Sequence, residues 1–221
     1  TQDKLFSSGE GDNYFDRNYD LYTAESEENN FFSVLSNAHN FKPTRSLEIG
    51  CANGKKISMV AERYKCESYG IDPSEKAVID GKQRFSNVNL STGISSDLKF
   101  EDEFFDFVII YFVLSWVDRK NLLKTYSEVD RVLKDGGYVL IADFEPTTFT
   151  KRQYHHRPDE DIWTYKQDYT LPLKSLGTYN KVSAIEFHSE IAEYPLLGGR
   201  KKIELLQKNA QGNYIVKNDV V

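Results

Sequence analysis

The strongest constraint in this chain is a change of pattern between residues 46 and 64. SLEI, a short apolar strand carrying one acid, runs into GCANG, a loop with almost no side-chain bulk. That loop runs into KKISMVAERY, where Ile57, Val60, Ala61 and Tyr64 share one helical face. Strand, tight glycine turn and helix in succession open a βαβ unit, because so sharp a turn needs residues that tolerate left-handed φ.

The same alternation continues downstream. CESYGI reads as a second strand and PSEKAVIDGKQRF as a second helix with Pro73 in its first turn, followed by NVNLS as a short third strand. FFDFVIIYFVL, residues 104–114, is apolar almost without alternation, as expected of a central parallel strand buried on both faces. DRKNLLKTYSEVDRVL predicts a helix capped by Asp118, with Leu122, Tyr126, Val129 and Leu133 as its stripe. KDGG closes that helix and YVLIADF is the next strand. Residues 45–144 therefore predict an α/β fold: a Rossmann-like, doubly wound, mostly parallel seven-stranded sheet that takes ligands at the carboxyl ends of its strands. KVSAIEFH and KKIELLQ, joined by a loop containing Pro and Gly, predict an antiparallel C-terminal edge hairpin.

The flanking segments differ in character. Residues 1–42 are polar and tyrosine-rich, with a helix expected over 25–38, and read as an N-terminal helical lid. Residues 145–170 read as an insertion covering the acceptor side, and 1–221 as a single domain. Hydrophobic residues at 39% and charged residues at 28% are the proportions of a soluble globular protein. No apolar run reaches the roughly 18 residues of a membrane span, no signal-peptide core opens the chain, and two cysteines build no disulfide framework. A cytoplasmic protein without membrane contact is expected. The net charge of −6 opposes tight binding to nucleic acid. TKRQYHHR (150–157) and GGRKK (198–202) are local exceptions that read either as solvated loop or as receivers of an anionic group. The residues set no oligomeric state, and a homodimer stays open.

Spacing sorts the meanings of the glycine loop. A Walker loop needs four residues between its glycines and then Lys-Ser/Thr, whereas three separate Gly50 from Gly54 and Lys56 follows Lys55. The dinucleotide fingerprint places glycines where this chain has Ala52 and Lys55. What remains is acid-x-Gly-x-x-x-Gly on a strand-to-helix turn. With LEIGCANG, YGIDPS, FDFVII and LKDGGYVLIADF in order, the chain resembles the class I S-adenosylmethionine-dependent methyltransferases over residues 45–144, and more loosely beyond them.

The resemblance implies a site. Glu48 faces the ammonium of the cofactor's amino acid end, and Gly50, Cys51 and Gly54 bring backbone and a helix N-terminus close to its carboxylate. Asp72, followed by Pro73, takes the ribose hydroxyls, while Ile94, Ser95 and Tyr111 complete the pocket. Family members often carry an acid for the adenine amino group where Ile94 stands, so adenine recognition falls to the Ser95 backbone, to Asp97 or to apolar stacking. The product would be S-adenosylhomocysteine. The implied activity is methyl transfer to O or N of a small or medium-sized metabolite, such as a sugar derivative or another anionic biosynthetic intermediate. A protein or RNA acceptor and a non-catalytic partner subunit are the alternatives. Tyr14, Tyr19 and Tyr22 of the N-terminal segment and Tyr111 and Trp116 at the end of the fourth strand are substrate-side candidates, and His155 and His156 are the only neutral-pH bases of the insertion. No metal is expected, since neither a metal-binding His motif nor a cysteine pair is present.

Overall fold

The computed structural model describes residues 2–24, 29–188 and 199–212. The chain enters through three short helices, α1 (Gln2–Leu5), α2 (Gly11–Arg17) and α3 (Tyr19–Thr23), with a kinked turn over Phe6–Glu10 between the first two. α4 (Asn29–Ser36) follows; the first residues of the helix expected over 25–38 lie outside the described residues.

The βαβ core then begins. β1 (Arg45–Ile49), α5 (Lys55–Tyr64) and β2 (Glu67–Asp72) are joined by the glycine loop, in which Gly50, Ala52 and Gly54 have φ of 71°, 48° and 81°. α6 (Glu75–Arg84) is capped by Ser74, whose hydroxyl accepts from Ala77 N at 3.0 Å. Pro73 thus precedes the cap and does not occupy the first turn. β3 (Asn89–Thr92) and β4 (Phe105–Tyr111) complete the first half, and Phe105, Phe107, Val108, Ile109 and Ile110 are wholly buried.

α7 (Leu122–Val132) starts after Asn121, later than the predicted cap at Asp118, because that carboxylate instead holds the preceding turn through Lys120 N and also accepts from Gln2 N. α7 passes directly into β5 (Leu133–Phe144), whose register against β4 shifts between Phe105 and Phe107, so Gly136, at φ 75°, sits in a kink of the strand and not past a helix end. The insertion folds as a two-stranded antiparallel ribbon that residue patterning does not reveal, β6 (Thr150–Gln153) with β7 (Trp163–Lys166), and α8 (Leu171–Ser175) follows. β8 (Tyr179–His188) and β9 (Arg200–Lys208) end the described chain; the loop between them lies outside the described residues.

The main sheet has seven strands in the order β3-β2-β1-β4-β5-β9-β8. β1 to β5 run parallel. β9 lies antiparallel between β5 and β8, which makes the C-terminal pair the expected edge hairpin with its last strand on the inside. Its two faces carry two cores. One gathers Leu47, Val108, Val129 and Tyr169, and the other Phe31, Ile57, Phe107, Ile109 and Leu205. On the first face Lys202 forms ion pairs with Glu145, Asp168 (3.0 Å) and the fully buried Glu204 (2.9 Å), tying the segment around α8 to β9. Against burial, the Thr170 hydroxyl and then the Lys202 ammonium pull Asp168 down to about 2. Among the described residues no helix is long and apolar enough to cross a membrane.

Candidate active site

The carboxyl ends of β1, β2 and β4 meet under a cavity of about 370 Å³. The glycine loop supplies its floor with Glu48, Gly50, Cys51 and Ala52, and β2 adds Asp72 and Pro73. Tyr111, Phe112 and Val113 follow β4 into one wall, where Trp116 also stands. The roof comes from the N-terminal segment: Phe6, Gly11, Tyr14, Phe15 and Tyr22. A smaller cavity of about 80 Å³ shares Gly50, Pro73, Val113 and Trp116 with it and is lined further on by Gly93, Ile94 and Ser95. Two neighbouring cavities with shared walls over a strand-loop-helix turn suit a nucleoside with a polar tail.

Asp72 is the electrostatic centre of the floor. One carboxylate oxygen accepts from Ala52 N at 2.8 Å and the other from Ser74 N at 2.9 Å. Each oxygen keeps a lone pair to accept a further donor, as a vicinal diol would supply. Burial pushes its acid strength down, to a pKa of about 6, against those two N–H groups, and Asp12 adds to the rise. Asp12 arrives from α2, where it accepts from the Ser74 hydroxyl at 2.6 Å and from Lys76 N at 3.1 Å, so the roof is hydrogen-bonded to the residues flanking Asp72.

Glu48 does two things. It lines the cavity, and its Oε2 accepts from Ile57 N at 3.1 Å, so the acid expected to face an ammonium also caps α5. The helix start is therefore less open to a carboxylate than the sequence suggests, since Asn53 Oδ1 also accepts from Lys55 N at 3.3 Å. The glycines likewise work inside the protein. A Cβ on Gly54 would meet Leu90 at 2.7 Å and one on Gly50 would meet Val113 at 2.3 Å; only Gly50 lines the cavity. Both close the loop tightly, and the ligand-facing backbone belongs to Gly50, Cys51 and Ala52. Cys51 is buried, and burial with the nearby Asp72 and Glu48 pushes its thiol well up, leaving a small apolar wall and no nucleophile.

The remaining sequence candidates separate. Tyr14, Tyr111 and Trp116 line the large cavity, and Ile94 and Ser95 the small one. Asp97 lines neither and pairs with Lys99 at 2.7 Å, which leaves adenine to the apolar Ile94, Val113 and Val117 walls and to backbone. Tyr19 lies outside both linings, its hydroxyl bonded to Arg84 and near Asp80 at 3.4 Å. His155 and His156 sit on an exposed turn with rings 3.9 Å apart, and neither lines a cavity. Burial first, then the charges of His155 and Arg17, hold His156 below the usual histidine range. Among the described residues no three His, Cys, Asp or Glu side chains gather as metal ligands.

Tyr22, a lid candidate in the sequence, lines the large cavity, and Phe6, Gly11, Phe15, Phe112 and Val113 join the lining without having been singled out as site residues in the sequence. A Cβ on Gly11 would stand 2.8 Å from Phe6 O and 3.2 Å from Ser74 N, so the absence of a side chain lets α2 lie against the end of β2. Phe112 has φ 58°, uncommon for a bulky residue and held by its N–H to Ala142 O at 2.7 Å. The donor set suits S-adenosylmethionine: half-buried Asp72 for the ribose hydroxyls, Glu48 for the ammonium, apolar walls for adenine and aromatic rings above.

Comparison with known proteins agrees. Residues 47–141 match the methyltransferase domain family. An uncharacterized protein of Methanocaldococcus jannaschii is 27% identical over 213 residues, covering 93% of this chain and 92% of that one. The demethylmenaquinone methyltransferase of Staphylococcus aureus is 34% identical over 112 residues, which span 48% of this chain and 46% of that enzyme. Among solved structures, a Pyrococcus horikoshii protein superposes with a TM-score of 0.65 at 20% identity over 89% of this chain and 99% of that one. A SAM-dependent methyltransferase of Methanosarcina mazei gives 0.64 at 17% over 84% and 99%. The domain match and the methyltransferase fold neighbours are consistent with the class I, S-adenosylmethionine-dependent family and support S-adenosylmethionine as the cofactor.

Proposed function

We propose that this protein transfers the cofactor's methyl group to an oxygen or nitrogen of a small or medium-sized molecule. The observation that carries this reading is the roof: the N-terminal segment lays Phe6, Tyr14, Phe15 and Tyr22 over the cavity above Asp72 and Glu48, which narrows the room left for an acceptor. S-adenosylmethionine supplies an already activated methyl group, so holding the acceptor in line can provide about 7 to 11 kcal/mol, more than a general base contributes.

The chain's own residues then have simple tasks. Asp72 binds the ribose diol, and Glu48 faces the ammonium while capping α5. Tyr14, Tyr22 and Trp116 exclude water from the reacting end. Burial, with Tyr14, Asp72 and Glu48 nearby, raises the Tyr22 phenol far above its ordinary range, so it stays protonated and serves as a hydrogen-bond donor. Residues 2–24 act as a lid and the β6–β7 ribbon braces it, all within one domain. A small acceptor also accords with the net charge of −6, and two free buried cysteines accord with a reducing compartment.

Calorimetry with S-adenosylhomocysteine and with NAD, followed by a labelled-methyl screen over small-molecule pools, tests the reading. Binding of the former and label in a small product are expected. Label entering protein or RNA instead would replace the acceptor class, and preferential NAD binding would end the reading.

A further inference from the structure

Beyond Phe112 the carboxyl edge of the sheet carries a row of rings beneath two lysines. The register sets Phe144, Lys201 and Phe187 side by side across β5, β9 and β8, hence on one face. Phe112, a wall of the large cavity, packs against Phe144 with ring centroids 5.5 Å apart. The Lys201 ammonium stands 5.3 Å from the Phe112 ring, 5.7 Å from Phe144 and 5.9 Å from Phe187. Lys166, reaching over from β7, places its own ammonium 4.2 Å from the same Phe144 ring.

Among the described residues neither ammonium has a carboxylate within ion-pair distance. The acids at this end of β5 and β9, Glu145 and Glu204, and Asp168 with them, are bound by Lys202 and Lys174 through the opposite side of the strand pair. One cation over a ring is satisfied by that ring's negative face, but a second over the same ring meets the charge of the first. Burial lowers Lys201, and burial with the charges of Arg152 and Lys201 lowers Lys166 despite Asp143 nearby. Both are half-buried, so bulk water disperses this repulsion only in part.

We propose that Lys201 and Lys166 form an anion subsite for the methyl acceptor, which carries a carboxylate or phosphate on the far side of Phe112 from the cofactor. An anion seated beside the two ammonium groups would offset their mutual repulsion, which the aromatic rings beneath them cannot do. The assignment rests on the methyltransferase reading and specifies its acceptor.

The test uses the full chain loaded with S-adenosylhomocysteine and titrated with phenyl phosphate, benzoate and benzyl alcohol, followed by tryptophan fluorescence, since Trp116 lines the cavity. Both anions should bind, more weakly as salt is added, and the neutral alcohol should not. Tighter binding of phenyl phosphate than of benzoate would identify a phosphate, and the reverse a carboxylate. Lys201→Met and Lys166→Met should each weaken anion binding about tenfold while leaving S-adenosylhomocysteine affinity as in the wild type. If a Met variant loses that affinity, the comparison passes to Lys201→Arg, which must keep anion binding, and Lys201→Gln, which must lose it. Anions that bind no better than the alcohol, or equally to variants and wild type, overturn the subsite and leave the methyltransferase reading intact. Failure of the wild type to bind S-adenosylhomocysteine overturns both.

Discussion

The two sides of the cavity are built in opposite ways. The cofactor floor is local: β1, the glycine loop, α5 and β2 are consecutive in the chain, and Asp72 and Glu48 reach backbone N–H groups of that same stretch. The roof and acceptor side are assembled from residues far apart. Gln2 donates from its side chain to Trp116 O at 2.6 Å and Trp163 O at 2.9 Å, while Asp3 accepts from Asp118 N at 2.8 Å and Asn121 Nδ2 at 2.6 Å. Glu10, nearly fully buried, binds Arg17 and accepts from the Tyr154 hydroxyl at 2.9 Å and from Arg157 at 3.2 Å. A floor held by its neighbours in sequence should persist when the roof loosens, whereas the roof depends on a few long-range polar contacts.

Four experiments press on this difference. The largest effect is expected from Asp72→Ala, which removes the ribose partner and releases Ala52 N and Ser74 N. S-adenosylhomocysteine affinity should fall about 100-fold by calorimetry, as two lost charge-assisted hydrogen bonds predict. An unchanged dissociation constant would take the ribose away from Asp72. Next comes Glu10→Gln, which leaves Arg17 without its anion and Arg157 with Glu160 alone. With both arginines partly solvated, a loss of about 1–3 kcal/mol is expected, roughly 2–4 °C in Tm per kcal/mol, with faster proteolysis of residues 2–24 than of the sheet. Uniform loosening of floor and roof would erase the distinction drawn between them.

The third is a pH series. Asp72 and Asp143 are both pushed by burial up to about 6, above their unfolded value, so the contribution of each to stability is complete below that unfolded value and is lost as pH rises through about 6. Asp168, held down to about 2, works the other way and is lost only as pH falls through its folded value. Cofactor binding needs ionised Asp72, so affinity should drop by up to about tenfold per pH unit below 6, and Asp72→Asn should flatten that slope. A slope that survives Asp72→Asn assigns the titration elsewhere. The smallest effect is expected from replacing His155 and His156 with Ala, since neither lines either cavity of the site. Cofactor affinity should stay within about twofold by calorimetry, and a larger loss would bring the histidines into the site.

What residue patterns reveal follows the same division. The apolar run of β4, the acid ending β2 and the glycine spacing are short-range signals, and each marks a strand or turn of the observed floor. Gly54 is legible as a turn residue, but that its missing Cβ makes room for Leu90 depends on β3 packing. Glu10 lies in the polar stretch GEGD, where nothing signals burial, and TKRQYHHR and WTYK do not alternate in a way that marks a ribbon. The pairing of Lys166 with Lys201 over Phe144 arises only when the ribbon and β9 come together, and single-chain periodicity carries no trace of it.

The interior position of β9 has a consequence for synthesis. Until residues 200–208 have left the ribosome, β5 presents an unpaired and mostly buried-type edge, and α7 lacks the Lys208 ammonium that donates to Asp130 O at 2.7 Å and Leu133 O at 3.1 Å. The nascent chain must therefore keep a slot open beside β5 while β8 is already made, and β9 can fill it only once residues 200–208 have been translated.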